Sequence, residues 1–225
     1  MIFNQAALNT GIGNTSATLS STVTVGDHIV VFADSGFAVG TITSVDDNHG
    51  NSYTPMVASF TQFATSQQHI IQVWTATASG TVGSLTVTAH TSTGAFITLV
   101  ALDYSSNTIF TYDQYAVANN ASNTAQSVGP TGSTSSASEL LLCYIITGTG
   151  GAPSFTQGTG YTKRGSVSSD PNFGLSYAIE DQIVSSIAAY SATWTLGTAK
   201  DCALVLVSFA LSAATTAKPV IIILT

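Results

Sequence analysis

Hydrophobic residues occur along this chain in short runs, separated by clusters of Gly, Ser, Thr and Asn. The runs are rich in β-branched and aromatic side chains, and helical spacing is nearly absent, so strands are expected throughout. The clearest are His28–Ala33, His69–Trp74, Ser84–Thr88, Phe96–Leu102, Leu140–Ile146, Phe173–Ile183, Ser191–Leu196 and Ala203–Leu211. Leu85, Val87 and Ala89 alternate with Ser84, Thr86 and Thr88; Ala192, Trp194 and Leu196 alternate with Ser191, Thr193 and Thr195. Such strands place one face in a core and a hydroxyl-bearing face in water. The continuous apolar runs at 29–33, 140–146 and 203–207 predict central strands covered on both faces.

Gly11–Ser16, Asn119–Ser138 and Gly148–Gly160 lack apolar periodicity and read as loops or irregular edge strands. No fixed-period repeat stands out. One domain is expected over residues 1–212, within the ~200–250 residues that all-β sandwiches often reach. Residues 213–225 break the pattern: a small-residue spacer leads through Lys218-Pro219 to the apolar run Val220, Ile221, Ile222, Ile223 and Leu224. An extended segment of that kind satisfies its backbone only by joining a sheet edge. It is therefore read as a β-strand arm, an interface with a neighbouring copy or another protein.

Charged residues make up 7% of the 225-residue chain, where about a quarter is ordinary. The 44% hydrophobic content excludes a disordered chain. Net charge is -7, and only Lys163, Arg164, Lys200 and Lys218 are basic. Four scattered cations do not form a phosphate-binding footprint or a polybasic membrane contact, so neither nucleic acid nor membrane insertion is expected. Met1-Ile2-Phe3-Asn4-Gln5 has no basic n-region followed by an apolar h-region, so no secretory signal is expected. Cys143 and Cys202 lie inside apolar runs and read as free, buried thiols in preference to an interstrand staple.

Groups that carry chemistry are sparse. Asp46-Asp47-Asn48-His49-Gly50-Asn51 has the Asp-x-Asn-x-Gly order of a calcium loop, with Asp46 and Asn48 as weak ligand candidates, but it lacks the distal bidentate Glu. The same residues suit a tight hairpin, which is the preferred reading. Glu180-Asp181 is an adjacent acid pair on a strand, so its members point to opposite faces; a solvent-facing strand end is expected. No His has a Cys, Asp or Glu at metal-ligand spacing, and Gly174-Leu175-Ser176-Tyr177-Ala178 lacks the last glycine of a nucleophile elbow. An enzyme is not expected, nor is a cofactor. Trp74, Tyr53, Tyr112 and Tyr115 are candidates for stacking on a host-surface glycan, although core packing explains Trp74 as well and interface anchoring explains the tyrosines.

The order of elements resembles the jelly-roll or lectin-like β-sandwich modules of tailed-phage virion proteins and bacterial surface proteins. The likeness runs over roughly residues 3–211. It is carried by the opening strand Phe3–Leu8, Gly26-Asp27-His28-Ile29-Val30-Val31, the hairpin Thr43–Tyr53, Gln72-Val73-Trp74 before Gly83-Ser84-Leu85-Thr86-Val87-Thr88, Glu139–Leu142, Ser176–Glu180, and Tyr190-Ser191-Ala192-Thr193-Trp194. It implies an all-β, two-sheet antiparallel sandwich with jelly-roll topology, to which the C-terminal strand is an addition. It also implies a structural subunit of the virion, a capsid decoration or head fibre that assembles with copies of itself or with a capsid protein. The alternative is a carbohydrate-binding adhesion module.

Overall fold

A computed structural model describes residues 1–36, 40–56, 60–64, 67–92, 94–105, 108–148, 150, 153–170 and 174–213. The arm residues Val220–Leu224 and most of its spacer lie outside the described residues. The described residues are strands, turns and irregular segments, and all their strand pairings are antiparallel.

The first half comprises β1 (Ile2–Ile12), β2 (Thr15–Leu19), β3 (His28–Gly36), β4 (Ile42–Asp47), β5 (Thr54–Pro55), β6 (Phe60–Ala64), β7 (Gln67–Thr77), β8 (Leu85–Thr91) and β9 (Phe96–Ser105). Its main sheet runs β1-β9-β3-β7-β5, with β6 also on β7, and a three-stranded sheet runs β2-β8-β4. The second half comprises β10 (Thr108–Val128), β11 (Glu139–Thr147), β12 (Phe155–Gln157), β13 (Thr162–Val167), β14 (Tyr177–Val184) and β15 (Ala192–Ala213). Its sheet runs β10-β15-β11-β14-β13, with β12 on the early part of β15.

The described strands thus form three sheets, where the sequence reading expects two. The physical reason is that β3, β9, β11 and β15 carry apolar residues on both faces, so each long sheet needs a cover on each side. Val30, Phe32, Val73, Val100 and Leu102 of the first half pack on Leu142, Tyr144, Ile179, Val205 and Val207 of the second. The opposite face of the first sheet, including Val31, Leu99 and Ala101, packs on Leu19, Leu85 and Val87 of the three-stranded sheet. The opposite face of the second sheet is covered by its own chain. Trp194 and Leu196 at the start of β15, Val128 at the end of β10 and Phe155 of β12 pack on Cys143, Leu204 and Leu206. Register shifts around Asn123 interrupt the β10–β15 ladder between these two parts.

The two halves repeat one strand order. In each, the first strand pairs with the last, the last with the third, and the third with the strand that precedes the last two: β1-β9-β3-β7 and, with the last two fused as β15, β10-β15-β11-β14. The flanking order β2-β8-β4 recurs as the end of β10, the start of β15 and β12. The first two strands are separate in the first half and fused as β10 in the second; the last two are separate as β8 and β9 and fused as β15. A repeat therefore exists where the sequence reading finds none. Phe32 of β3 and Tyr144 of β11, the third strands of their halves, stack on each other with ring centroids 5.7 Å apart.

Candidate functional site

The turn after β4 is organised by one carboxylate. Asp47 Oδ1 accepts the backbone N–H groups of His49 (2.8 Å) and Asn51 (3.2 Å), and Oδ2 accepts Asn51 Nδ2 (2.8 Å) and Tyr53 OH (3.0 Å). Burial first, and then the Asp47 charge, holds the Tyr53 phenol far above its ordinary pKa. Gly50 at φ +72° supplies the left-handed step that lets the backbone wrap this carboxylate. Asp46 and Asn48, the weak cation candidates, are engaged elsewhere: Asp46 Oδ2 meets His90 Nε2 at 2.9 Å, and Asn48 Oδ1 accepts Thr86 N–H at 2.9 Å. No group of three metal-ligating side chains occurs among the described residues.

The four aromatic candidates are not brought together on one surface. Trp74 is buried in the core beneath the three-stranded sheet, its Nε1 donating to Gln72 Oε1 at 3.2 Å, and half-buried Tyr53 packs against that core. Tyr112 and Tyr115 lie on β10, cross-strand from Phe209 and Val207; Tyr112 meets the Phe209 ring edge-on, and Tyr115 is exposed.

Glu180 and Asp181 do point to opposite faces, but neither is solvent-facing as the sequence reading expects. Both are buried, because β14 is covered on both sides. Glu180 faces the core around Cys143 and Trp194 and accepts Gly158 N–H at 2.9 Å; burial, with the Asp181 charge adding, pushes its carboxyl up to about 8. Asp181 faces the first half, accepting Tyr104 OH at 2.6 Å and Arg164 Nε at 2.8 Å. Glu139 is also buried, and burial with the Asp113 contact raises it to about 7. At the far end of β3, Asp34 and His69 form a fully enclosed pair at 3.0 Å, with Tyr144 OH 3.4 Å from Asp34. Burial depresses the His69 pKa, but the Asp34 charge and hydrogen bond outweigh it and the net shift is upward. These groups are buried inside the protein. Cys143 and Cys202 are free and buried, as expected.

An open site lies at the opposite end of the space between the halves. Beyond Val30 and Val73 the inward-facing positions turn polar, with Thr75 opposite Val30 and Thr77 opposite His28. The core therefore ends in a cleft of about 410 Å³ whose lining includes His28, Ser52, Thr54, Thr75, Thr77 and Phe110. Asn51 and Ser79 complete one wall: Asn51 Oδ1 accepts both the N–H (2.9 Å) and the hydroxyl (2.8 Å) of Ser79. The roof comes from the second half, where the half-buried Phe110 ring stacks on His28 with centroids 4.9 Å apart. Thr77 Oγ1 is 3.3 Å from His28 Nδ1. Sequence reasoning missed this set. Its only signal is the replacement of apolar residues by Thr75 and Thr77 on the inward face of β7.

Comparison with family models, with curated proteins and with solved structures returns no match to this chain.

Proposed function

We propose that this chain is a structural virion subunit, a decoration or head-fibre protein of a tailed phage, built from two jelly rolls fused in tandem and acting by self-assembly and attachment to the particle. The observation that carries this reading is the doubled strand order. First-last-third-seventh beside second-eighth-fourth supports reading each half as a jelly roll, an architecture of capsid and lectin domains. In each half the strand after the fourth has left the smaller sheet: β5 pairs with β7, and β13 with β14. That exchange widens the sheets through which the halves meet. Partners are copies of itself or a capsid protein, engaged through the arm 213–225 as an added strand.

Two measurements test the proposal. Mass spectrometry of purified particles from cells carrying the gene should find the chain in stoichiometric amount; its absence overturns the particle role. Deleting residues 213–225 should leave a folded protein that no longer oligomerises or attaches, and undiminished assembly overturns the arm. A carbohydrate-binding role finds its support in one different observation, the hydroxyl-lined cleft at His28 and Phe110.

A further inference from the structure

We propose that the outer edge of β10, at Tyr115–Asn119, receives residues 220–224 of a second copy of this chain as an added strand. This deepens the assembly reading and rests on it: there the arm joins copies, and here it gains its docking edge.

β10 is the last strand of its sheet, and no strand pairs with its outer side among the described residues. Its ladder with β15 is continuous from Tyr115 to Asn120, between a register shift after Tyr112 and another before Asn123. Along this stretch both faces of the strand are apolar. Tyr115 and Val117 stand opposite Val207 and Val205, on the face that meets the first half. Ala116 and Ala118 stand opposite Leu206 and Leu204, on the other face. Tyr115 is 45% exposed and Val117 40%. Elsewhere among the described residues, no two exposed large apolar side chains occupy neighbouring positions on one face of a strand.

Sheet edges are ordinarily guarded against other chains by charge, proline or cover. The other edges here carry such devices. Lys163 and Arg164 lie on β13, Asp46 and Asp47 on β4, and Pro55 on β5. β1 has β2 and β13 against it, which leave Gln5–Leu8 at its centre partly buried, and β6 lies against β10 and β15. From Gln114 to Val128, by contrast, β10 has neither a charged residue nor a proline.

The segment that suits such an edge is itself apolar on both faces. Side chains alternate along a strand, so Val220, Ile222 and Leu224 extend one face of β10 while Ile221 and Ile223 extend the other. Residues 219–225 are uncharged, so pairing buries no charge without a counter-ion. β15 ends at Ala213, cross-strand from Thr108 at the start of β10, so the arm departs one strand in from this edge. Residues 214–219 reach about 20 Å when extended. Within one copy they would have to cross the chain that enters β10 from β9, and connections at one sheet edge avoid such crossings. Between copies the path is open, and the arm of each reaches the edge of a neighbour.

Sedimentation velocity and cross-linking test the inference. The full chain should self-associate, and Val117→Lys should weaken association about tenfold or more with the thermal midpoint little changed. Ile187→Lys puts the same charge on an exposed isoleucine outside β10 and should associate like wild type. Val117→Cys chains, mixed with Ile221→Cys or Ile222→Cys chains and oxidised, should form a mixed disulfide dimer. Only the arm position that shares the face of Val117 should do so, and the native thiols, being buried, do not compete. A full chain that stays monomeric, or that associates equally well without residues 213–225, overturns the assembly reading and this inference with it. Association that is lost on that deletion but is unchanged in Val117→Lys, or that yields no mixed disulfide, leaves the assembly reading standing and overturns the edge assigned here. A chain with both cysteines that closes its own bridge as a monomer overturns exchange between copies. Val117→Cys chains that bridge to one another as readily as to the arm overturn it in favour of β10 pairing with β10.

Discussion

Leu204 is fully buried where the second sheet meets the strand ends folded over it, touching neither the cleft nor the interface between halves. Leu204→Ala removes packing that its neighbours only partly recover, so chemical denaturation should show a loss of about 2–5 kcal/mol. The buried carboxyls set a pH dependence whose sign is fixed. Glu139 and Glu180 have folded pKa values raised to about 7 and about 8, above the ordinary 4.5, so the native state holds protons that the unfolded chain releases. Stability is therefore fully present below about pH 4.5 as far as these groups act, and falls as pH rises through 7 and 8. His69, raised by Asp34, acts in the same direction. The thermal midpoint should decline between pH 5 and pH 8.5, and Glu180→Gln should flatten that decline. A midpoint that climbs over this range contradicts the burial of these groups as protonated acids.

At the scale of elements, the turn leaving β10 depends on Gly129. Its φ of +112° is rarely adopted by other residues, and a Cβ there would lie 2.8 Å from Ser191 Cα and from Tyr190 O. Gly129→Ala should cost roughly 1–3 kcal/mol and loosen the contact between the 129–134 segment and Tyr190; hydrogen exchange at Thr131 N–H, which bonds Tyr190 O at 2.8 Å, reports it. The central strands were legible because burial on both faces leaves a continuous apolar run, as in Leu140–Ile146. The span Asn119–Val128 was only half legible, as a loop or an irregular edge strand. It is the edge-strand continuation of β10, and apart from Gln126 and Val128, which are buried, its polar side chains leave its order to backbone pairing with β15. The repeat was hidden for a related reason. Ser84-Leu85-Thr86-Val87-Thr88 and Ser191-Ala192-Thr193-Trp194-Thr195 share their outward hydroxyls, but the inward residues differ because each core demands its own volumes. The cleft was illegible because Phe110 reaches His28 only once the halves are stacked.

On the scale of the whole molecule, the largest apolar cluster among the described residues is built from both halves. Its polar ends join them too, through Tyr104 to Asp181 on one side and Thr98 to Tyr144 (2.6 Å) on the other. Neither half presents a self-sufficient surface, because separation would uncover a sheet face as apolar as a core. Residues 1–105 and 108–213 expressed apart should each be insoluble or unfolded, whereas co-expression should recover a one-to-one complex on a tag carried by either. Two halves that fold singly and ignore one another would show that the shared cluster does not hold the molecule together.

The pairing of first strand with last has a consequence for how the chain is made. Ile2 O accepts a bond from Ser105 Oγ, 103 residues later in the chain, and β10 likewise pairs with β15 at the end of its half. A ribosome delivers β1 long before β9 exists, so the opening strand has no partner until its half has almost wholly emerged. The inward face of that half then waits again for β11 and β14. Nascent chains carry unpaired edges through much of their synthesis, and productive folding is confined to two late closures. The sparse charge that suits the finished surface gives little protection during that wait, which makes holdase chaperones and slow translation near the 105–108 junction the conditions under which yield should improve.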